Sequence, residues 1–245
     1  MPRQPFLSAD WRHLVMFTYE VDASLLQPLV PRGTELDTWS GAAYASIVAF
    51  RFLDTRLLGI PIPFHRDFAE VNLRCYVRRT LLSEVRRGVV FIREIVPRRA
   101  VATLARWIYN EPYRALPMRS AVETAPHLSV RYAWRLAGQW HTVAAQASRP
   151  LALPPDGSRE QFIAEHYWGY TRQRDGSTIE YRVEHPPWAV APAVSFHIEA
   201  DLAAVYGPAM GGLLVKPVSV FLAAGSPVTV SRPVSLIVGD TGRSF

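Results

Sequence analysis

The chain contains one lysine, Lys216, and one cysteine, Cys75. A single cysteine excludes an intramolecular disulfide and agrees with a reducing compartment. A single lysine leaves amine chemistry, Schiff-base formation above all, one residue to work with. No apolar run approaches the ~20 residues of a membrane span, and the opening MPRQPFLSADW lacks the apolar core of a signal peptide. A cytoplasmic protein with no membrane partner is expected. The seven histidines (13, 65, 127, 141, 166, 185 and 197) show no H-x-x-x-H or H-x-H grouping, so no metal site is expected. There is no G-x-S-x-G nucleophile elbow and no glycine-rich phosphate loop, and no cofactor is expected. His65-Arg66-Asp67 with Asn72 fits the kinase pattern H-R-D-x-x-x-x-N, but the phosphate loop, upstream lysine and D-F-G that would give it meaning are missing. Asp240-Thr241-Gly242 likewise has no second copy to make an aspartic-protease dyad.

What is present is a chain of 245 residues, 49% of them hydrophobic, long enough to bury a substantial core. The Pro-rich stretch Arg149 to Ser158 is the best boundary between two domains. Strand-like segments continue on both sides of it, so it reads as a loop within one domain spanning 1–245. The formal charge is +6, and of 27 basic residues all but Lys216 are arginine. The arginines are spread along the chain, and the pairs Arg78-Arg79, Arg86-Arg87 and Arg98-Arg99 fall mostly at strand ends. A nucleic-acid binder would collect them on one face or between stacked aromatics, so no nucleic-acid partner is expected. The positive field still favours anionic ligands.

The hydrophobic pattern predicts a mainly β protein with a few flanking helices. Strands are expected at Leu14 to Val21, Ala42 to Leu53, Glu70 to Arg78 and Val89 to Val96. Asp22 should cap a short helix through Leu29. Ala100 to Tyr109 has helical composition. Leu128 to Leu136 with Gln139 to Ser148, and Trp168 to Arg174 with Ser177 to Glu184, read as hairpins, the second turning on Asp175-Gly176. Helical turns are expected at Glu160 to Glu165 and Leu202 to Tyr206, and strands at Ala193 to Glu199 and Val218 to Ala223. At least eight strands allow a closed barrel or a sandwich.

Two segments concentrate chemistry. Glu70 to Arg78 alternates, with Val71, Leu73, Cys75 and Val77 on one face and Glu70, Asn72, Arg74, Tyr76 and Arg78 on the other. If the polar face lines a closed cavity, an acid, an amide, a guanidinium and a phenol converge on a ligand; if it meets water, they are ordinary solvated residues. Cys75 falls on the apolar face, where a thiol is buried and inert. The second segment, Val89 to Arg99, ends in two arginines at a strand-to-helix junction, where sites are often built.

Together with the stretch Trp11 to Asp37, with Phe68-Ala69-Glu70, and with REIVPRR at Arg93 to Arg99, these segments resemble the acetoacetate decarboxylase-like superfamily, and within it the uncharacterised YqjF-like family. The resemblance covers about the first hundred residues and implies a curved sheet or cone-shaped barrel with flanking helices and an internal cavity. In the decarboxylases the first lysine of a Lys-Lys pair forms a Schiff base. The matching positions here are Arg98 and Arg99, and a guanidinium stays protonated and cannot condense with a carbonyl. Lys216 reads as a solvated strand-end residue before Pro217.

The resemblance therefore implies a cavity for a small anionic or carbonyl-bearing molecule. Arg98, Arg99 and Arg12 would supply positive charge, and Glu70 would be an ionised counter-charge or base. Asn72, Arg74, Tyr76 and His65 would complete the substrate-binding wall, with Glu70 and Arg98 as the catalytic pair if there is catalysis. Two functions follow: a binding or sensing protein, or a lyase-like enzyme acting by enolisation, decarboxylation or hydration without a Schiff base. The sequence leaves the oligomeric state open, a homo-oligomer included.

Overall fold

A computed structural model describes residues 5–236; the Asp240-Thr241-Gly242 motif lies outside these described residues. Five helices and one turn of 3-10 helix are set among the strands. The first long strands are β1 (Leu7–Val21), β3 (Ala43–Leu57), β5 (Phe68–Thr80) and β6 (Val85–Val96), with the short β2 (Glu35–Leu36) and β4 (Ile60–Pro61) between them. Asp22 caps α1 (Ala23–Leu26) by accepting from the Ser24 amide at 2.8 Å, and a 3-10 turn, Gln27–Leu29, completes it. After β6 come α2 (Arg99–Tyr109), β7 (Tyr113–Ala115), β8 (Met118–Glu123), β9 (Leu128–Leu136) and β10 (Gln139–Ala147). The described residues continue with α3 (Arg159–Ala164), the hairpin β11 (Trp168–Arg172) and β12 (Thr178–Glu184), β13 (Val190–Glu199), α4 (Leu202–Tyr206), α5 (Pro208–Leu213), β14 (Ser219–Val230) and β15 (Val234–Ser235).

The order β12-β11-β6-β5-β3-β1-β14 closes on itself, because β12 also pairs with β14 through Val183 with Val230 and Glu184 with Thr229. This closure decides for a barrel over a sandwich. The joins between neighbours in the ring are antiparallel except β6 with β11, where Trp168 meets Gly88 and Gly169 meets Val89 in parallel. A Cβ on Gly88 would lie 2.6 Å from the Trp168 carbonyl oxygen, so the parallel crossing requires glycine there. Strands β13, β10, β9 and β8 continue from β14 as an outer antiparallel layer.

Strand alternation separates two apolar cores. Val15, Phe17, Ile47, Val71, Leu73 and Cys75 point out of the ring and pack with Tyr132, Trp134 and Val143 of the outer layer. Leu14, Met16, Val48, Phe50, Phe52, Phe68 and Phe221 point inward and pack with Ala102 of α2 and with Phe162 and Ile163 of α3. Both faces of β5 are thus buried over Phe68 to Val77. The Glu70 face lies inside a closed ring, not in water. Burial pushes the Cys75 thiol up to about 12, as an inert core cysteine should behave.

Candidate active site

A cavity of ≈140 Å³ lies within the ring. Its walls are largely apolar, from Trp11, Leu14, Phe50, Phe52, Phe91 and Trp188 among others, and α2 covers it with Val101, Leu104, Ala105 and Ile108. One sector is polar. Glu70, Asn72 and Arg74, successive inward positions of β5, line it together. The neighbouring β6 contributes Glu94, which pairs in register with Asn72. Glu111 and Tyr113 arrive from the segment after α2, where Asn110 ends the helix in the left-handed conformation at φ 56°. β7 then runs parallel to β6 and sets Tyr113 beside Glu94.

Three carboxyl groups are therefore buried together, with Glu70, Glu94 and Glu111 at 2%, 1% and 6% exposure. Glu70 accepts from the Asn72 amide at 2.9 Å and from the Tyr113 hydroxyl at 3.2 Å. Glu111 accepts from the Tyr181 hydroxyl and, at 3.5 Å, from Thr171. Tyr181 can reach it because residue 169 beneath its ring is glycine; a Cβ there would sit 2.1 Å from the ring. Burial raises the Glu70 carboxyl to about 7, against the opposing pull of its Asn72 and Tyr113 hydrogen bonds and the Arg74 charge. Burial, reinforced by Glu70, raises Glu111 to about 8. Glu94 is pushed well up by burial and by its two carboxyl neighbours. Glu70 is not locked as an ion among arginines: one guanidinium faces it, burial outweighs that pull, and with its carboxyl at about 7 it can both hold and release a proton near neutrality.

On the far side of Arg74 lies a second polar group that the sequence did not single out. His166, fully buried, donates from Nε2 to Asp37 Oδ2 at 3.1 Å, and Arg87 Nε donates to the same oxygen at 2.7 Å. Burial lowers the imidazole to about 4, with the Arg87 and Arg74 charges acting in the same direction, so the ring is neutral near pH 7. With its Nε2 proton committed to Asp37, Nδ1 is left as an acceptor among the cavity-lining residues. Tyr76 does not line the cavity. It donates to Ser46 Oγ at 2.7 Å and packs against the His166 ring, with centroids 4.7 Å apart.

The remaining expected site residues lie elsewhere. Arg12 misses the cavity because β1 bulges at His13, which has φ 59° and interrupts the register between Arg12 and Val15. Trp11 and Leu14 consequently both face inward, while Arg12 turns out to Asp10 and the Gly225 carbonyl. β6 ends at Val96, Pro97 turns the chain away, and Arg98 and Arg99 open α2 as exposed residues. His65 sits in the β4–β5 loop against the Pro63 carbonyl at 2.8 Å, outside the cavity lining. Lys216 is exposed and also outside it. Among the described residues, the one guanidinium lining the cavity is therefore that of Arg74.

Among the described residues, no group of three or more His, Cys, Asp or Glu side chains is placed to hold a metal ion. No described helix is long and apolar enough to cross a membrane. The arrangement instead offers hydrogen-bond donors and acceptors, a guanidinium and three carboxyls raised by burial within a largely apolar chamber.

Comparison with solved structures gives the same architecture. Acetoacetate decarboxylase from Legionella pneumophila superposes with a TM-score of 0.66 at 16% identity, covering 95% of this chain and 87% of that one. The enduracididine biosynthesis enzyme MppR, complexed with the condensation product of pyruvate and imidazole 4-carboxaldehyde, gives 0.63 at 14% identity, covering 94% and 89%. At such identities the likeness establishes the fold. In sequence, the uncharacterized protein YqjF of Bacillus subtilis is 30% identical over 186 residues, 75% of this chain and 74% of that protein. The model of the DUF2071 family, described as uncharacterized conserved protein, matches residues 8–227. The chain belongs to the DUF2071 family, and its fold is that of the acetoacetate decarboxylase-like proteins.

Proposed function

We propose that the protein binds a small carboxylate- or carbonyl-bearing organic molecule inside the ring, its apolar part in the aromatic chamber and its polar end against Arg74. One observation carries this reading. Asn72 Oδ1, Arg74 Nε, Glu94 Oε2 and His166 Nδ1, with Trp11 Nε1 and Thr55 Oγ1, are buried without a protein hydrogen-bond partner, and all six belong to residues lining one cavity. Buried polar atoms are rarely left unpaired, and six on the residues around a single space point to a ligand that pairs with them. The volume is close to the ~150 Å³ of an apolar cavity able to hold benzene. That favours a compact aliphatic or aromatic acid. MppR, which shares the fold, is known complexed with pyruvate, a keto acid of this chemical class.

The positive charge that the decarboxylases place on a lysine pair is supplied in this reading by Arg74, a permanent cation that forms no Schiff base. A panel of keto, hydroxy and aromatic acids screened by thermal shift tests it, with the best hit titrated against Arg74→Gln. A charge-assisted contact to a buried carboxylate is worth ~1.5–3 kcal/mol, so affinity should fall roughly tenfold to hundredfold. A panel with no stabilising member, or a variant that binds like the parent, defeats the proposal.

A second reading, catalysis, is favoured by one feature: a carboxyl brought to about 7 beside a guanidinium. An acid–base group works best with its pKa near the operating pH. Glu70 would take a proton from the carbon next to the ligand carbonyl while Arg74 holds the enolate oxygen, and return of the proton would complete an enolisation. In D₂O this exchanges hydrogen for deuterium at that carbon, whereas a pure binder leaves the ligand unlabelled.

A further inference from the structure

A second cleft, of ≈580 Å³, opens where strands β3, β5, β8, β9 and β10 come near the start of α2. Four arginines line it, Arg51, Arg98, Arg119 and Arg135, against a single acid, Asp67. Other arginines of this chain are neutralised at close range: Arg78 by Glu35, Arg79 and Arg86 by Glu180, and Arg87 by Asp37. Several arginines elsewhere, Arg93, Arg131 and Arg174 among them, also lack an ion pair, but the four in the cleft are gathered in one concavity. None of them forms an ion pair with any described residue.

Their surroundings hold them in place without discharging them. Arg119 lies over the Trp140 ring at 4.3 Å, and Arg135 Nε donates to the Gly138 carbonyl at 3.1 Å. Arg51 is half-buried, and its Nε is enclosed with no partner. Arg98 is the N-cap residue of α2 and makes no side-chain cap bond there. Asp67 is partly committed, since one of its oxygens accepts from the Asp54 amide at 2.9 Å.

Gathering four like charges in one concavity costs stability unless an anion answers them. We propose that this cleft is a binding site for a small oxyanion carrying two or more negative charges, gripped by guanidinium forks as phosphoryl and carboxylate groups commonly are. The site is separate from the ring cavity. It lies across β5, on the side of Ala69 rather than Glu70, and Phe68 is common to both linings. A concave cluster on one short stretch of surface suits a compact molecule better than a long polymer, which needs charge along a track.

Calorimetric titration of the full chain with inorganic pyrophosphate, and separately with citrate, tests this. Saturable one-to-one binding of either at low salt is expected, and the stronger of the two tells a phosphoryl site from a polycarboxylate site. Arg98→Ala with Arg119→Ala removes two exposed side chains without opening the core, and should weaken the better probe by about tenfold or more. Arg174→Ala, an exposed arginine in the β11–β12 turn, should change nothing. Failure of both probes to saturate, or equal affinity in parent and double variant, overturns the proposal. So does binding only of oligonucleotides with stoichiometry that grows with their length, which would make the cleft part of a phosphodiester-binding surface.

Discussion

Replacing Glu111 by glutamine isolates the cost of keeping an acid inside the ring. Glutamine preserves an acceptor oxygen for Tyr181 and Thr171, so the change removes a proton-binding site with little change of shape. In the folded protein Glu111 holds its proton to about 8, from an ordinary value of 4.5. Between those values the native state binds more protons at this site than the unfolded chain does. Stability is therefore fully present below the unfolded pKa and is lost as pH rises towards 8. Below pH ~6.5 the slope is masked by His166, lowered to about 4, because its neutral folded form makes stability rise with pH there. The clean window is pH 6.5 to 8. Each carboxyl still protonated in the native state contributes ~1.4 kcal/mol per pH unit, so Glu111 accounts for about 2 kcal/mol across the window. Urea unfolding at half-unit pH steps should show the parent weakening from 6.5 to 8 and the variant weakening less, by roughly that amount. A parent whose stability is flat or rises over this range, or a variant with the parent's slope, would refute the buried-acid argument.

Gly169→Ala should expel the Tyr181 ring from its seat, destabilise the protein by ~1–3 kcal/mol in chemical denaturation, and weaken cavity ligands. Incubation with a β-diketone and borohydride should leave no adduct on the cavity wall by peptide mass mapping, since Lys216 is exposed and outside it; a stoichiometric adduct abolished by Lys216→Arg would show otherwise. We also propose that the chain unfolds as one unit: limited proteolysis between Pro154 and Arg159 should leave both pieces associated, because β11, β12 and β14 complete a ring begun by β1, β3, β5 and β6. Fragments that separate on gel filtration while remaining folded would contradict it.

Periodicity carried most of the fold. The 70–78 alternation placed Glu70, Asn72 and Arg74 on one face, and the structure puts that face inside the ring. Closure itself was not legible, because the joins β6–β11 and β12–β14 are set by tertiary contacts between distant segments. Arg12 falls outside the ring cavity because a one-residue bulge inverts the side-chain parity of a strand and leaves little trace in composition. Arg98 and Arg99 lie outside the ring cavity because Pro97 ends β6 before the pair can turn inward. Glu94 could have been found, since the antiparallel pairing of β5 with β6 puts it opposite Asn72. Glu111 follows a left-handed helix cap and His166 sits between a helix and a strand, where no repeat marks the direction of a side chain.

The β11–β12 hairpin is joined to the ring on one edge by Trp168 and Gly169, and on the other by Val183 and Glu184. β1, by contrast, is laced to both neighbours along nearly its whole length. Side chains add to these joins: Glu180 bridges Arg79 at 3.0 Å and Arg86 at 2.6 Å, with all three largely shielded, and Arg172 donates to the Val30 carbonyl at 2.8 Å. This panel carries Trp168, Tyr181 and Val183 of the chamber wall. The stave with the fewest backbone rungs is thus also a wall of the room, tied in by its side chains where the other staves are laced by their backbones.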